Sequence, residues 1–402
     1  MASVEQIYLE AGGTVIASGN PSAPTAYKPV NMNLPQPQSN GAGGWDRAER
    51  TFHFDVTGTP AQISTAVVAL RRALSRGNIL SFRRHATATL NQSLIRKATV
   101  HEPEYDPTKE ATARTSRVVV IITTDPYWLA PWGDWTVVSV PSPAPNHFDI
   151  TNPGGDTDAL VSVRLIPSVA TTGIYLGGRP APAAGYDYLD GHDATLTLDA
   201  TWKRFVSPFM SVSSRANAGR HLPLIHTSGS GIPSTTRVRS VAKTAGYNMT
   251  ADKEVAGLAA PSVAGNSIEL LPVVLPPAAV PSAGIVADIT AVQYIEMTDD
   301  NAPTITLKST CRIPLDYAAV LSRAALPANQ GLVYDGDIDL PFIADADGVG
   351  YALAGVGDVI RPLRAVPDGT TRFVYGLTGT FSTGTVGTLA YRTRPRYLTA
   401  MG

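Results

Sequence analysis

The stretch Thr123-Thr124-Asp125-Pro126-Tyr127-Trp128-Leu129-Ala130-Pro131-Trp132-Gly133-Asp134-Trp135 sets the reading of the whole chain. It follows Val118-Val119-Val120-Ile121-Ile122, an apolar β-branched run that predicts a buried strand. Asp125-Pro126 stops that strand, because proline lacks an N–H and fixes φ. Three of the chain's five tryptophans then fall within eight residues. Tryptophan buries a large area and still needs a partner for its indole N–H. Such a cluster at a strand end predicts a junction between two packed domains, formed by Asp125, Pro126, Tyr127, Trp128, Trp132 and Trp135. An aromatic mini-core under a loop is the plainer reading, and the two are compatible.

Working outward, 402 residues suffice for two or three domains. Charged residues make up only 16% of the chain and hydrophobic residues 44%. A surface built from Ser, Thr, Gly, Pro and Ala fits a secreted, repetitive or assembly-buried protein. The 35 glycines and 32 prolines predict many turns and many short strands. A net charge of −1 gives no bulk argument for nucleic acid or a membrane surface. The single cysteine, Cys311, excludes an internal disulfide framework and a thiolate metal cluster. The N-terminus lacks a basic segment followed by an apolar run, and no window approaches a membrane-spanning length. The expectation is a protein made in a cytoplasm that stays soluble or assembles there.

On the N-terminal side, residues 4–16 read as a hairpin and 17–44 as a long loop or arm. Residues 51–56 alternate as a strand. Thr59-Pro60-Ala61-Gln62 is a capping box with proline at the first helical position. Ile63, Val67, Leu70 and Leu74 follow as one apolar stripe. Arg71, Arg72 and Arg76 suit the negative end of the helix dipole, and Gly77 ends the helix. Residues 79–82, 88–94, 98–100 and 117–122 read as strands, with a charged segment at 101–116. Residues 1–124 thus predict a small α+β domain, mildly basic, with thirteen Lys and Arg against nine Asp and Glu.

On the C-terminal side the pattern is all strands and Pro/Gly turns. This predicts a β-sandwich or jelly roll, mainly β overall. Asn152-Pro153-Gly154-Gly155-Asp156 is a strong turn. Residues 207–283 read as an insertion of weak periodicity, and Tyr317 to Ala325 as a short helix. The last segment, Tyr391-Arg392-Thr393-Arg394-Pro395-Arg396-Tyr397, reads as an edge strand with arginines on its wet face. Stacking of those side chains on nucleic acid is the sharper alternative.

Signals for chemistry are weak. His221 and His226, five apart around a proline, read as ordinary loop histidines, with metal binding as the sharper alternative. Asp345-Ala346-Asp347-Gly348 and Asp335-Gly336-Asp337-Ile338-Asp339 read as acidic turns rather than calcium loops. There is no phosphate-cradling glycine loop, no nucleophile elbow and no H-E-x-x-H. No enzyme and no cofactor is expected.

The order of parts resembles the distal tail proteins of long-tailed bacteriophages. The carriers are Asp125-Pro126-Tyr127-Trp128 after a strand, the early Asn152-Pro153-Gly154 turn, and the late Pro367-Asp368-Gly369-Thr370 turn before a strand. The family often has Asn where Thr370 stands. The resemblance covers residues 1–210 and, more loosely, 360–398. It implies a ring-forming N-terminal domain at 1–124 and a Trp-rich junction at 125–135. It also implies a galectin-like sandwich at 136–210 and 361–402, with an insertion or third domain at 211–360. It further implies a hexameric ring at the tail tip of the virion, assembled in the host cytoplasm. The implied partners are the tail tube protein, the tail hub protein, the tape measure protein and receptor-binding proteins, with no nucleic-acid specificity. The competing reading is a receptor- or carbohydrate-binding tail protein, with Tyr175, Tyr186, Tyr188 and Trp202 as sugar contacts. The same aromatics also suit a sandwich core.

Overall fold

The computed structural model describes residues 8–11, 14–18, 27–33, 47–83, 90–101, 114–142, 146–181, 189–205, 211–212, 219–228, 231–245, 253–256, 260–261, 266–270, 272–275, 290–345, 350–352, 358–381 and 384–398. They are mainly β, in antiparallel sheets with one α-helix. The chain divides into two compact units. One comprises 1–133, 154–159 and 394–402, the other 134–153 and 160–393.

In the first unit, Tyr8–Ala11 and Thr14–Ser18 form the predicted hairpin, and Tyr8–Ala11 also pairs with Ile79–Arg83. Ile79–Arg83 continues onto Asn91–His101, then Arg114–Thr124 and Ala48–Gly58. Where a loop or arm is expected, Tyr27–Asn33 is a strand paired with Ala48–Gly58. The expected strands at 88–94 and 98–100 are one strand, Asn91–His101, bent by a register shift between Ile95 and Lys97. The helix Pro60–Ala73 has the capping box its sequence predicts: Gln62 N–H donates to Thr59 Oγ1, and Thr59 N–H donates to Gln62 Oε1. Ile63, Val67, Leu70 and Leu74 bury its stripe against Phe52, Val56, Leu80 and Val120. The segment 102–113 lies outside the described residues.

The second unit is a sandwich with an inserted pair of sheets. One sandwich sheet runs Asn146–Thr151, Thr370–Thr378, Gly173–Pro180, Ala318–Ser322, Asp358–Arg361. Opposite it, Thr136–Ser142 pairs with the strand that begins at Gly384, and the strand ending at Pro167 pairs with Gly331–Asp335, which pairs with Leu340–Ala344. Val140, Val163, Leu165, Ile174, Val320, Phe373 and Leu389 fill the space between them. Phe148 stacks on Phe373 at 5.2 Å and on Tyr391 at 4.4 Å.

The inserted sheets are Leu189–Thr197, Thr304–Pro314, Gly219–Thr227 and Ser267–Glu269, and Lys203–Arg204, Thr290–Thr298, Arg237–Ala245 and Lys253–Ala256. Ile225, Val238, Ile268, Ile295 and Leu307 form their shared core. The segment expected as the insertion, 211–360, differs from these pairings at both ends. Leu189–Thr197 already pairs with Thr304–Pro314, while Ala318–Ser322 and Asp358–Arg361 lie in the sandwich sheet.

The outer face of that sandwich sheet is not solvent-facing. Tyr175, Ala319, Leu321 and Val374 pack against Leu222, Leu224, Cys311 and Ile313 of the inserted strands. Gly177 permits the approach, since a Cβ there would collide with the Pro314 carbonyl. Burial on both faces explains a correction: residues 318–322, expected within a helix, are a strand whose five residues are all buried. Alanine-rich composition favours helix, and two-sided packing overrides it.

Candidate functional site

In the first unit the tryptophan stretch is stitched to the end of the chain. Asp125 N–H donates to the Leu94 carbonyl, and its carboxylate takes two hydrogen bonds from Arg96 at 2.7 and 2.9 Å. These contacts fix the strand end, and Pro126 follows it. Trp128 is fully buried on Phe82 at 5.9 Å, with the Arg50 guanidinium 4.4 Å above its ring. Leu129 and Trp128 pair with Arg396 and Tyr397. Arg394 donates to the Ala130 carbonyl and lies 5.8 Å from the Trp132 ring, and Arg396 lies 4.3 Å from Tyr127. In the second unit, Trp135 meets Arg164 at 4.2 Å and Arg392 at 4.6 Å. The alternating arginines at 392, 394 and 396 are therefore engaged within the fold, on the aromatics of the 127–135 stretch. The division between the two units falls at Gly133 and Asp134.

Arg50 has no exposed surface. It donates Nε–H to Thr124 Oγ1 at 2.9 Å, while Nη1 and Nη2 find no acceptor. Burial lowers its pKa to about 10. The strand Ala48–Gly58 forces this, because Arg50 shares the buried face with Phe52 and Val56.

The two turns quoted from the sequence meet in the second unit. Asn152 N–H donates to the Gly369 carbonyl at 2.8 Å, and Gly369 N–H donates to Asn152 Oδ1 at 2.6 Å. Asn152 has φ +45 and Gly369 φ +99, left-handed conformations that suit these residues. Thr370 shares a hydrogen bond between hydroxyls with Thr151 at 3.0 Å. The sandwich end is thus closed across 217 residues of sequence.

Of the expected sugar contacts the described residues include Tyr175 and Trp202, each beside its own arginine–carboxylate cluster. Tyr175 is buried, donates its hydroxyl to Glu269 at 2.6 Å, and has its pKa raised by burial, with Glu269 reinforcing the shift. Arg323 completes that cluster by donating to both Glu269 oxygens. Tyr186 and Tyr188 lie outside the described residues. Trp202 is half-buried, with Arg239 4.4 Å over its ring and that guanidinium held by Glu296. Sequence reasoning missed both carboxylate–arginine clusters; each spans several strands and has no linear signature.

His221 and His226 are five apart on one strand, hence on opposite faces, and both are buried. Asp339 accepts from Tyr334 and Arg364, a structural turn. Asp347 lies outside the described residues. Among the described residues no group of three metal-ligating side chains converges. No helix among them is long and apolar enough to cross a membrane.

No protein family and no curated protein sequence matches the chain. Solved structures give low-similarity matches. The SPP1 Dit protein, described as a paradigm of hub adsorption apparatus in Gram-positive infecting phages, matches at 8% identity and TM-score 0.36. The match covers 96% of this chain and 98% of that one. A chain of the phage P2 baseplate in its activated conformation with calcium matches at 10% identity and TM-score 0.29, covering 98% of both chains. The infectious bursal disease virus VP2 subviral particle matches at 8% identity and TM-score 0.19, covering 66% of this chain and 80% of that one.

Proposed function

We propose that this chain is a structural component of a long-tailed phage tail tip, a distal tail protein that forms a hexameric ring between the tail tube and the hub. The observation that carries the reading is the pair of turns. The early Asn152 turn and the late Gly369 turn, on which the sequence resemblance rests, hydrogen-bond each other in both directions. The Trp-rich stretch following Asp125-Pro126 supports it, with the buried Trp128 and the last strand bound to it. In this reading the 1–124 part forms the ring and meets the tube, hub and tape measure proteins. The 125–135 stretch is the junction. The inserted strands between Pro180 and Ala318 carry host-contact or receptor-binding parts. The role is non-catalytic and the site of action is the virion. A ring is a closed heterologous assembly, and the few charged residues suit subunits that bury surface in one another.

The sugar-binding alternative has less to stand on. Tyr175 is inside the protein, and Trp202 carries a guanidinium on its ring. The test is immunogold labelling of particles of the encoding phage with antibodies to this chain. Gold confined to the tail tip is expected. Gold along the tail shaft or on the head would overturn the assignment.

A further inference from the structure

The second unit holds one apolar core in the sandwich and another in the inserted sheets. A third cluster lies between them, where Tyr175, Ala319, Leu321 and Val374 meet Leu222, Leu224, Cys311 and Ile313. Parts of a chain with separate cores move against each other by default, unless the face they share is large and hydrophobic. Apolar contact resists separation. It is also non-directional, so it does not by itself fix how one layer sits on the other. That requires directional bonds across the same interface.

The segment Asn266–Leu270 supplies them. One of its edges belongs to the inserted sheets. Ser267, Ile268 and Glu269 pair with His226, Ile225 and Leu224. Thr227 N–H donates to the Asn266 carbonyl at 2.8 Å, and Leu270 N–H donates to the Pro223 carbonyl at 2.9 Å. The other edge binds the sandwich, at the end of the strand Thr370–Thr378 and just beyond it. Ser267 and Gly379 exchange backbone hydrogen bonds at 3.1 and 3.0 Å. Asn266 Nδ2 donates to the Phe381 carbonyl at 2.8 Å, and Phe381 N–H donates to Asn266 Oδ1 at 3.0 Å. Ser267 Oγ donates to the Leu377 carbonyl at 2.7 Å. Glu269 then reaches two more sandwich strands. It accepts the Tyr175 hydroxyl from Gly173–Pro180, and the Arg323 guanidinium one residue past Ala318–Ser322. These three strands are neighbours in one sheet.

Asn266 and Ser267 are buried. Sliding the layers by one residue would leave the Asn266 amide and the Phe381 N–H enclosed without partners, which costs more than such bonds contribute when made. We propose that Asn266–Leu270 is a registration clip that holds the inserted sheets and the sandwich as one rigid body. A displacement of the inserted sheets is then carried into the sandwich instead of being absorbed at a hinge. The clip goes beyond the tail-tip reading and holds whatever the inserted sheets contact.

The test is a distance measurement by double electron–electron resonance on the full-length protein. Nitroxide labels are placed at Asp300→Cys in the inserted sheets and Thr388→Cys in the sandwich, both exposed positions. Cys311 is buried and does not compete for label. The protein with an intact clip should give one narrow distance distribution. Asn266→Ala with Ser267→Ala and Glu269→Gln should widen it about twofold or more. Glu269→Gln alone, a milder change, should widen it less. Asp149→Asn, which breaks an ion pair of the same sandwich sheet outside the clip, should leave the width unchanged. A broad distribution with the clip intact would reveal a hinge and overturn the proposal. An unchanged narrow distribution in the clip variants would assign the registration to the apolar face alone and overturn it as well.

Discussion

Arg50 in the first unit and Arg372 in the sandwich are both drawn into β-sheet, and their charges are handled in opposite ways. Arg372 faces its cross-strand neighbour Asp149 and donates to both carboxylate oxygens, at 2.8 and 2.7 Å, with 22% of its side chain still exposed. Arg50 is fully enclosed and has a hydroxyl and the face of Trp128 for company. A bidentate pair offsets much of its own desolvation, whereas a ring face returns only about 0.5–2 kcal/mol. The first arrangement stiffens a sheet. The second concentrates an uncompensated charge under the tryptophan stretch, held by one hydroxyl and one ring.

The largest effect should follow removal of the ring. Trp128→Ala deletes the surface under both Arg50 and Phe82, and should cost the first unit about 3–5 kcal/mol in chemical denaturation. The second unit's transition should stay put. A loss under about 1 kcal/mol would mean that the ring is not what holds the cation, and the contrast would fall.

A buried histidine sharpens the contrast because, unlike an arginine, it can discard its proton. His226 is 5% exposed, and burial lowers its pKa to about 4. A base with a depressed folded-state pKa stabilises fully above its unfolded value near 6.5, and that stability fades as pH falls toward 4. The second unit should lose about 2–3 kcal/mol across that window, and His226→Gln should flatten the dependence. A slope unchanged in His226→Gln would assign it to another group.

Smaller still is the paired charge. Asp149→Asn leaves Arg372 facing an amide and should cost about 1 kcal/mol. Arg372→Met in that background should recover part of the loss, which a double-mutant cycle reads directly. The smallest change is expected from Arg50→Met, which keeps volume and removes the cation. Its unfolding free energy should lie within about 1 kcal/mol of the parent, or above it. A loss as large as that of Trp128→Ala would show the guanidinium to be indispensable and reverse the comparison.

Legibility followed the number of buried faces. The helix Pro60–Ala73 was readable from its capping box and apolar stripe because one face meets the sheet and the other meets water. Gly219–Thr227 and Ala318–Ser322 pack between layers, so neither alternates, and proline and alanine supply misleading local cues. The turns at Asn152 and Pro367 were visible as turns, while their reciprocal hydrogen bonds became visible only in three dimensions. Arg50 left a faint signal, its even spacing from Phe52 and Val56 on one strand.

The central claim is tested most directly by the mass of the purified protein, measured by light scattering beside negative-stain images. The account predicts six copies of the 42.3-kDa chain in a ring with an open centre. Trimers, the stoichiometry of a fibre or spike, would contradict it.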